Sequence, residues 1–503
     1  MSVTQQQIDD LTASMSTLQS SFDGLSGSMD AATFGEDVMW VLICGTLVFF
    51  MQAGFAMLEA GAVRSKNAVN ILFKNLIDGA ISAICFWILG YGFAYGNTKG
   101  GFIGVSLYAL SGDEFDLNDT DQLNFQSFFF QWAFAATAAT IVSGCVAERC
   151  KLEAYFIYSA VLAIWIYPVV VHWCWGQGWL SPFADQSYDY LFDGKESNNF
   201  IDFAGSGIVH ATGGIAGCVA AIALGPRKGR FNPDGTVNPV PAHSVPMMLL
   251  GTIILWVGWY GFNPGSTLGV SGSLGSLAGK VAVTTTISAA ASALTMVMYQ
   301  AAIKTPYDIG GVINAILGGL VSITAPCAVV DPWAAFLIGI IGCFVYIGAS
   351  KALLALQIDD PLDASPIHGA CGIWGVLSVG IFGNDDNAAF AGYLGSSTGN
   401  HPFRTGEQFG VQLVGMLSIF AWVAGWSVML FFGLKMAGIL RVSEEVETAG
   451  LDSSEHGTPA YANGDIELTK TAAPADAPET AVEVEKGEYA AVSTGDVEVT
   501  PAV

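Results

Sequence analysis

The chain carries eleven apolar stretches long enough to cross the ~30 Å hydrocarbon core of a bilayer. They run approximately 38–61, 71–96, 126–147, 154–176, 202–224, 245–263, 276–301, 309–325, 333–350, 367–383 and 409–437. Hydrocarbon offers the backbone no hydrogen-bond partners, so stretches of this kind are helices, and an all-α integral membrane protein is expected. The positive charges test the count, because cytosolic loops keep Lys and Arg. Arg64, Lys66 and Lys74 follow the first stretch, Arg149 and Lys151 the third, and Arg227, Lys228 and Arg230 the fifth. Lys304 follows the seventh, Lys351 the ninth, and Lys435 with Arg441 the eleventh, whereas the alternate breaks hold only Lys99, Lys195 and Arg404. An odd number of crossings then puts the N terminus outside and the C terminus in the cytosol.

Composition agrees. Of 503 residues 52% are hydrophobic and 12% charged, and 60 are Gly, against about a quarter charged in soluble domains; mean hydropathy is +0.51. Small residues let membrane helices approach closely. Disordered, collagen-like and disulfide-framework classes are excluded. The net charge of −25 is partly a tail property, since residues 442–503 hold 14 acidic residues against Lys470 and Lys486. Without a clustered basic face, nucleic-acid binding is not expected. The nine Cys lie mostly in apolar runs without a C-x-x-C pair and read as small core residues. Residues 1–36 are polar and lack the basic and apolar regions of a signal peptide, giving an extracellular segment ahead of a helical domain at 37–440. Residues 441–460 follow as a cytosolic segment, and 461–503 as an acidic tail unable to bury enough apolar surface to fold. Asn118-Asp119-Thr120 is a glycosylation sequon in an outer loop.

The chain echoes itself around two histidines within its spans. His210-Ala-Thr-Gly-Gly214-Ile215-Ala-Gly217 and His368-Gly-Ala-Cys-Gly372-Ile373-Trp-Gly375 both read H-x-x-x-G-I-x-G, with Asp202 upstream of one and Asp363 of the other. They fall in the fifth and tenth spans, which run in opposite directions. Five spans plus five, matched and inverted, is the pattern of a transporter whose site lies at the repeat interface, with one span left over.

An ionisable residue inside a span is a functional candidate. Each histidine alone reads equally as a neutral core residue bonded to a neighbouring helix; in symmetric positions the two imidazoles can bond to each other, leaving one nitrogen of each for a substrate. Bis-histidine haem ligation is disfavoured because the Gly-lined flanks are tight, and no cofactor or metal is expected. Asp202 is placed to cap the fifth helix and, at an outer mouth, also to attract cations. Aromatic residues gather at outer span ends: Phe130 and Phe134, Trp173 and Trp175, Trp259 and Phe262. A membrane-interface belt accounts for many of them, yet a ring with a hydroxyl nearby, such as that of Ser266, also holds a small cation without carboxylates.

At these residues the chain resembles the ammonium transporter, methylammonium permease and Rhesus glycoprotein family, most closely its eukaryotic ammonium transporter branch. The resemblance rests on Met51-Gln-Ala-Gly-Phe-Ala-Met57 with Arg64-Ser-Lys-Asn67, Phe130-Gln131-Trp-Ala-Phe134, Asp202-Phe-Ala-Gly-Ser-Gly-Ile-Val-His210, Trp259-Tyr-Gly-Phe-Asn-Pro-Gly-Ser266 and His368-Gly-Ala-Cys-Gly372. It covers about 36–457 and implies an eleven-helix bundle assembled as a homotrimer in the plasma membrane, each subunit with its own pore. By the same resemblance Phe134, Trp175 and Ser266 form an outer recruitment site for ammonium or methylammonium. Phe134 and Phe262 stack as a gate, Asp202 supports the site electrostatically, and His210 and His368 are twin pore histidines. Trp175 favours the ammonium transporter branch over Rhesus proteins, which generally lack that Trp. Residues 440–457 resemble a regulatory segment that contacts a neighbouring subunit. Within it Ser454 stands where plant relatives have a phosphorylated Thr, but Glu455 replaces the basic residue that follows. Glu59 reads as a solvated interface residue and Lys280 as a snorkelling one.

Ammonium and K⁺ are similar in size, so selection must use the donor hydrogens of ammonium and its ability to lose a proton. A dry pore disfavours the charged form; ammonia then passes the histidines while the proton crosses separately. The alternatives are a passive ammonia channel of Rhesus type and an ammonium sensor signalling through its tail. No P-loop or zinc-ligand spacing suggests an enzyme.

Overall fold

The computed structural model describes residues 4–116, 124–184, 200–394 and 402–461. The Asn118 sequon and the acidic tail beyond Tyr461 lie outside them. Among the described residues ten helices are long and apolar enough to cross a membrane: α1 (Gln5–Ala62), α2 (Ser65–Tyr95), α3 (Phe125–Val146), α4 (Leu152–Cys174), α5 (Ser206–Leu224), α6 (Val245–Thr267), α7 (Ser273–Ala302), α9 (Pro332–Ala355), α10 (Ser365–Phe382) and α11 (Glu407–Met436). Between them α8 (Ile309–Thr324) is apolar but shorter. Its 16 residues reach about 24 Å at 1.5 Å per residue. The limits of α8 are chemical. The Asp308 carboxylate accepts from Gly310 N and Gly311 N at its start, and Pro326 stands two residues beyond its end.

One feature extends the sequence reading and another departs from it. The polar stretch before residue 37 does not end at the first span: α1 runs unbroken for 58 residues. It joins the helical body at Asp37, whose carboxylate accepts from Val270 N at 2.7 Å and Ser271 N at 2.9 Å. Lys280, on α7, does not snorkel freely; its Nζ donates to Ala328 O and Asn387 Oδ1, both at 2.7 Å.

Glycine sets the closest helix crossings. α1 lies against α6, where a Cβ on Gly258 would stand 2.2 Å from Met51 Cγ and one on Gly251 2.4 Å from Leu58 N. Four of these membrane-length helices contain a π-turn, an irregularity frequent at functional positions: Phe86–Gly90 in α2, Leu162–Ile166 in α4, Ser206–Ala211 in α5 and Ser365–Ala370 in α10. The last two carry His210 and His368.

The basic loop residues converge on one face. Buried Glu148 accepts from Arg64, from Asn67 Nδ2 at 3.1 Å and from Arg227 Nη1 at 3.0 Å, and Arg227 makes a two-pronged bond to Asp359 at 2.8 and 2.9 Å. Burial raises the Asp359 pKa, but the Arg227 bonds and charge outweigh it and hold the carboxyl down to about 2, so the clamp stays ionised at every physiological pH. Charges from the loops after the first, third and fifth spans thus share one side, as the charge pattern requires. The segment after α11 docks there too. Lys66 Nζ donates to Glu447 O and Thr448 O, Arg441 Nη2 pairs with Glu447 Oε2 at 2.9 Å, and the Asp452 carboxylate caps Val69 N and Asn70 N at 3.1 and 2.9 Å. These contacts are all within one chain.

Candidate functional site

At one end of the helical body a cavity of about 350 Å³ is lined by Phe130, Gln131, Phe134, Trp175, Phe203 and Ser266, among others. Trp175 is aimed by its indole N–H, which donates to Asp202 O at 2.8 Å, and its ring meets Phe134 edge-on at 5.9 Å. The Ser266 hydroxyl donates to Phe262 O at 2.8 Å, so its oxygen lone pairs remain available to a donor in the cavity. The cavity floor is aromatic: Phe134 and Phe262 stack with centroids 4.1 Å apart, and both are fully buried. Trp173 lies elsewhere, donating to Phe102 O and packing on Trp179 and Trp422. Trp259 stacks on His210 instead, its N–H tied to Thr324 Oγ1 at 3.0 Å.

Directly beneath, His210 stacks on Phe262 at 5.2 Å and faces His368, with the two Nδ1 atoms 3.2 Å apart. One Nδ1 must donate and the other accept, so the bond requires one Nδ1-protonated imidazole and one with its Nδ1 lone pair free. His210 Nε2 is buried with no hydrogen-bond partner among the described residues.

Asp202 and Asp360 hold the two histidine helices. Asp202 Oδ1 accepts from Gly205 N and Ser206 N at 3.0 and 2.8 Å, and Oδ2 from Gly207 N and Ile208 N, both at 2.8 Å. With four donors on one carboxylate and 2% exposure, Asp202 faces the start of α5 rather than the cavity. The counterpart on α10 is Asp360, not Asp363. Asp360 accepts from Ala364 N at 3.1 Å and Ser365 N at 2.7 Å, whereas Asp363 accepts from Tyr346 OH at 3.0 Å and Ser350 Oγ at 2.9 Å. The spacing carries that signal in the sequence, since Asp202 precedes His210 and Asp360 precedes His368 by the same interval.

The glycines of the echoed motif are where these helices touch each other and, at Gly217, α3. A Cβ on Gly214 would stand 2.1 Å from Gly369 N, on Gly217 2.4 Å from Cys145 Sγ, on Gly372 2.5 Å from Ser206 O, and on Gly375 2.5 Å from Ser206 Oγ. Gly214→Ala pushes backbone against backbone, and overpacking of this kind costs about 1–3 kcal/mol. It is therefore expected to part the imidazoles and cut uptake severalfold at equal surface amounts, measured with labelled methylammonium.

Beyond His368 a small cavity is lined by Phe55, Leu58, Glu59, Leu317 and Leu362. Glu59 is not a solvated interface residue: it is 2% exposed, accepts from Asn75 Nδ2 at 2.6 Å and is bonded to Ser143 Oγ. Leu58 and Leu362 also line a polar cavity of about 340 Å³ containing Arg230, Asp308, Asn314, Asp360 and Asp363. One cavity thus opens at the start of α5 and the other at the start of α10, with the paired imidazoles between them. Among the described residues no group of three or more His, Cys, Asp or Glu is placed to hold a metal ion.

Apolar membrane-length helices around a path of two cavities and a buried polar pair define a polytopic helical membrane transporter. The chain belongs to the ammonium transporter family, whose model matches residues 39–461. Ammonium transporter Amt2 of Archaeoglobus fulgidus is 41% identical over 433 residues, covering 85% of this chain and 88% of that protein. Ammonium transporter 1 member 1 of Arabidopsis thaliana is 40% identical over 422 residues, 80% and 81%. Among solved structures, one named Sensor Amt Protein matches with a TM-score of 0.74 and 36% identity over 85% of this chain and 99% of that one. Mep2 of Saccharomyces cerevisiae matches at 0.71 and 27%, over 82% and 88%.

Proposed function

We propose that this protein takes up ammonium and moves net charge in doing so. The observation that carries the reading is the unbroken order of aromatic cavity, stacked Phe134 and Phe262, His210, His368 and inner polar cavity. Trp175, Phe134 and Ser266 recruit the cation by cation–π attraction and one hydrogen bond. Phe134 and Phe262 then exclude water and hydrated ions. In the low-dielectric lumen the charged form is strongly disfavoured, so ammonium yields a proton and ammonia passes the imidazoles, whose shared Nδ1 proton offers a relay.

Eleven crossings complete the proposal, with α8 as the short one, arranged as two inverted sets of five plus α11. The opposed cavities at the starts of α5 and α10 support the inversion. With the basic loops inward, the N terminus is outside and the C terminus cytosolic. The functional unit is a homotrimer in the plasma membrane, in contact with lipid, and the segment 441–460 reaches a neighbouring subunit as well as its own.

The test is ammonium-evoked current under voltage clamp with intracellular pH followed in parallel. A saturating inward current that grows at negative potential is expected; alkalinisation without current would instead establish a passive ammonia channel. The name of one structural neighbour, Sensor Amt Protein, favours a sensing role as the second reading, and silence in both signals would support it.

Ser454 is proposed as the regulatory position. Its hydroxyl donates to Gly450 O at 2.9 Å, and it lies beside Asp452 and beside Glu455, itself bonded to Asn70 Nδ2. Phosphate would add about −1.5 to −2 of charge to this acidic cluster. Ser454→Asp is expected to release the segment, seen as faster proteolysis near residue 450, and to change the ammonium current; an unaltered current refutes the assignment.

A further inference from the structure

The first half of α1 has a capping box at Thr4 and Gln7 and local Gln–Asp bonds, but its side chains are not buried against any other part of the chain. Residues 4–36 are all exposed, and Gln5–Glu36 contains six Ser, three Thr and three Gly, residues that disfavour helix in isolation. A helix of this composition standing alone in water is marginal at best. Its large apolar side chains nevertheless fall on one line. Ile8, Leu11, Met15, Leu18, Phe22 and Leu25 alternate spacings of three and four, and Met29 continues the register, each between 48% and 73% exposed.

That repeat, sustained over three heptads, is the narrow a/d seam of a coiled coil rather than the broader stripe of a helix lying on a protein body. The positions flanking the seam are uncharged: Gln7, Ser14 and Ser21 on one side, Thr12, Gln19 and Ser26 on the other. The acidic residues Asp9, Asp10, Asp23 and Asp30 all occupy outer positions, where identical chains can approach without bringing like charges together. No Lys or Arg precedes Arg64. A helix that lies on an anionic bilayer uses a basic polar face, so the membrane surface does not suit this one. Because the helix continues without a break into the first span, every copy in one assembly is anchored at the same end and in the same register.

We propose that residues 5–33 of α1 form a parallel coiled coil with the same segment of the other copies of this chain, standing on the outer face of the assembly. The proposal rests on the homotrimer reading for the copies it joins and for their number, and on the outward N terminus for the face on which it stands.

The test uses the full-length protein in membranes, with Leu18→Cys on the seam and Ser20→Cys on the outer face, oxidised and resolved on non-reducing gels. Leu18→Cys is expected to give covalent dimers of this chain at least about tenfold more readily than Ser20→Cys. Equal yields, no product at Leu18→Cys, or adducts of another mass would overturn it. Uptake by both variants confirms folding, and the native mass of the wild type separates the two readings. A trimer without seam cross-links leaves the trimer standing and removes the coiled coil, whereas a monomer removes both.

Discussion

His210→Glu is expected to let K⁺ through. The pore then presents a carboxylate where two imidazoles now share one Nδ1 bond of 3.2 Å, and a cation no longer has to lose its charge to pass. An opposite charge at about 4 Å favours a buried cation by several kcal/mol even at an effective dielectric of about 20. Discrimination against K⁺ should therefore fall at least about tenfold, since 1.4 kcal/mol is tenfold. His368→Ala tests the same barrier by a different route. Removing the imidazole joins the space beneath His210 to the small cavity beside Glu59 and Leu58 and admits water. The measurement is rubidium uptake alongside ammonium current in each variant. Unaltered selectivity in both would take the pair out of the mechanism.

The second large effect belongs to Asp202. Its carboxylate holds four consecutive N–H groups of the α5 start, and its carbonyl oxygen fixes the Trp175 indole. Leaving a buried donor unsatisfied costs about 1–3 kcal/mol each, so Asp202→Ala is expected to lose several kcal/mol and to abolish uptake. Asp202→Asn keeps one acceptor oxygen but turns an amide N–H₂ toward two of the donors, and is expected to fail less completely. The discriminating measurement is the melting temperature of the purified protein. A structural cap predicts a large drop for Asp202→Ala and a related drop for Asp360→Ala, which releases Ala364 N and Ser365 N at the opposite cavity. Lost uptake with unchanged melting at Asp202 would show that the carboxylate acts on the cation directly.

An aromatic face with a hydroxyl nearby at a span end was legible as a recognisable chemical set, but several rings fitted it, and the family resemblance alone singled out Trp175 with Ser266. The doubled histidine motif was legible because identical spacing in two spans is a pattern along the chain. Phe203, which also lines the outer cavity, carried no such signal, since one more apolar residue in a membrane sequence is unremarked until the fold turns it inward. Glu59 was misplaced for a related reason. Read locally it sits near a span end, but Asn75 of α2 and Ser143 of α3 come to it across the bundle. Lys280 likewise finds Ala328 and Asn387 from segments far along the chain.

By itself the sequence determined that the chain must be a bundle of membrane helices, which side its basic loops share, and which residues could matter. Hydropathy, charge and repeat spacing are one-dimensional quantities, and hydrocarbon enforces them regardless of packing. Only the tertiary structure decided the burial of Glu59, the meeting of the two imidazoles and the order of rings along the path. Those depend on π-turns and glycine crossings, in which one missing Cβ brings two backbones together and fixes which side chains meet.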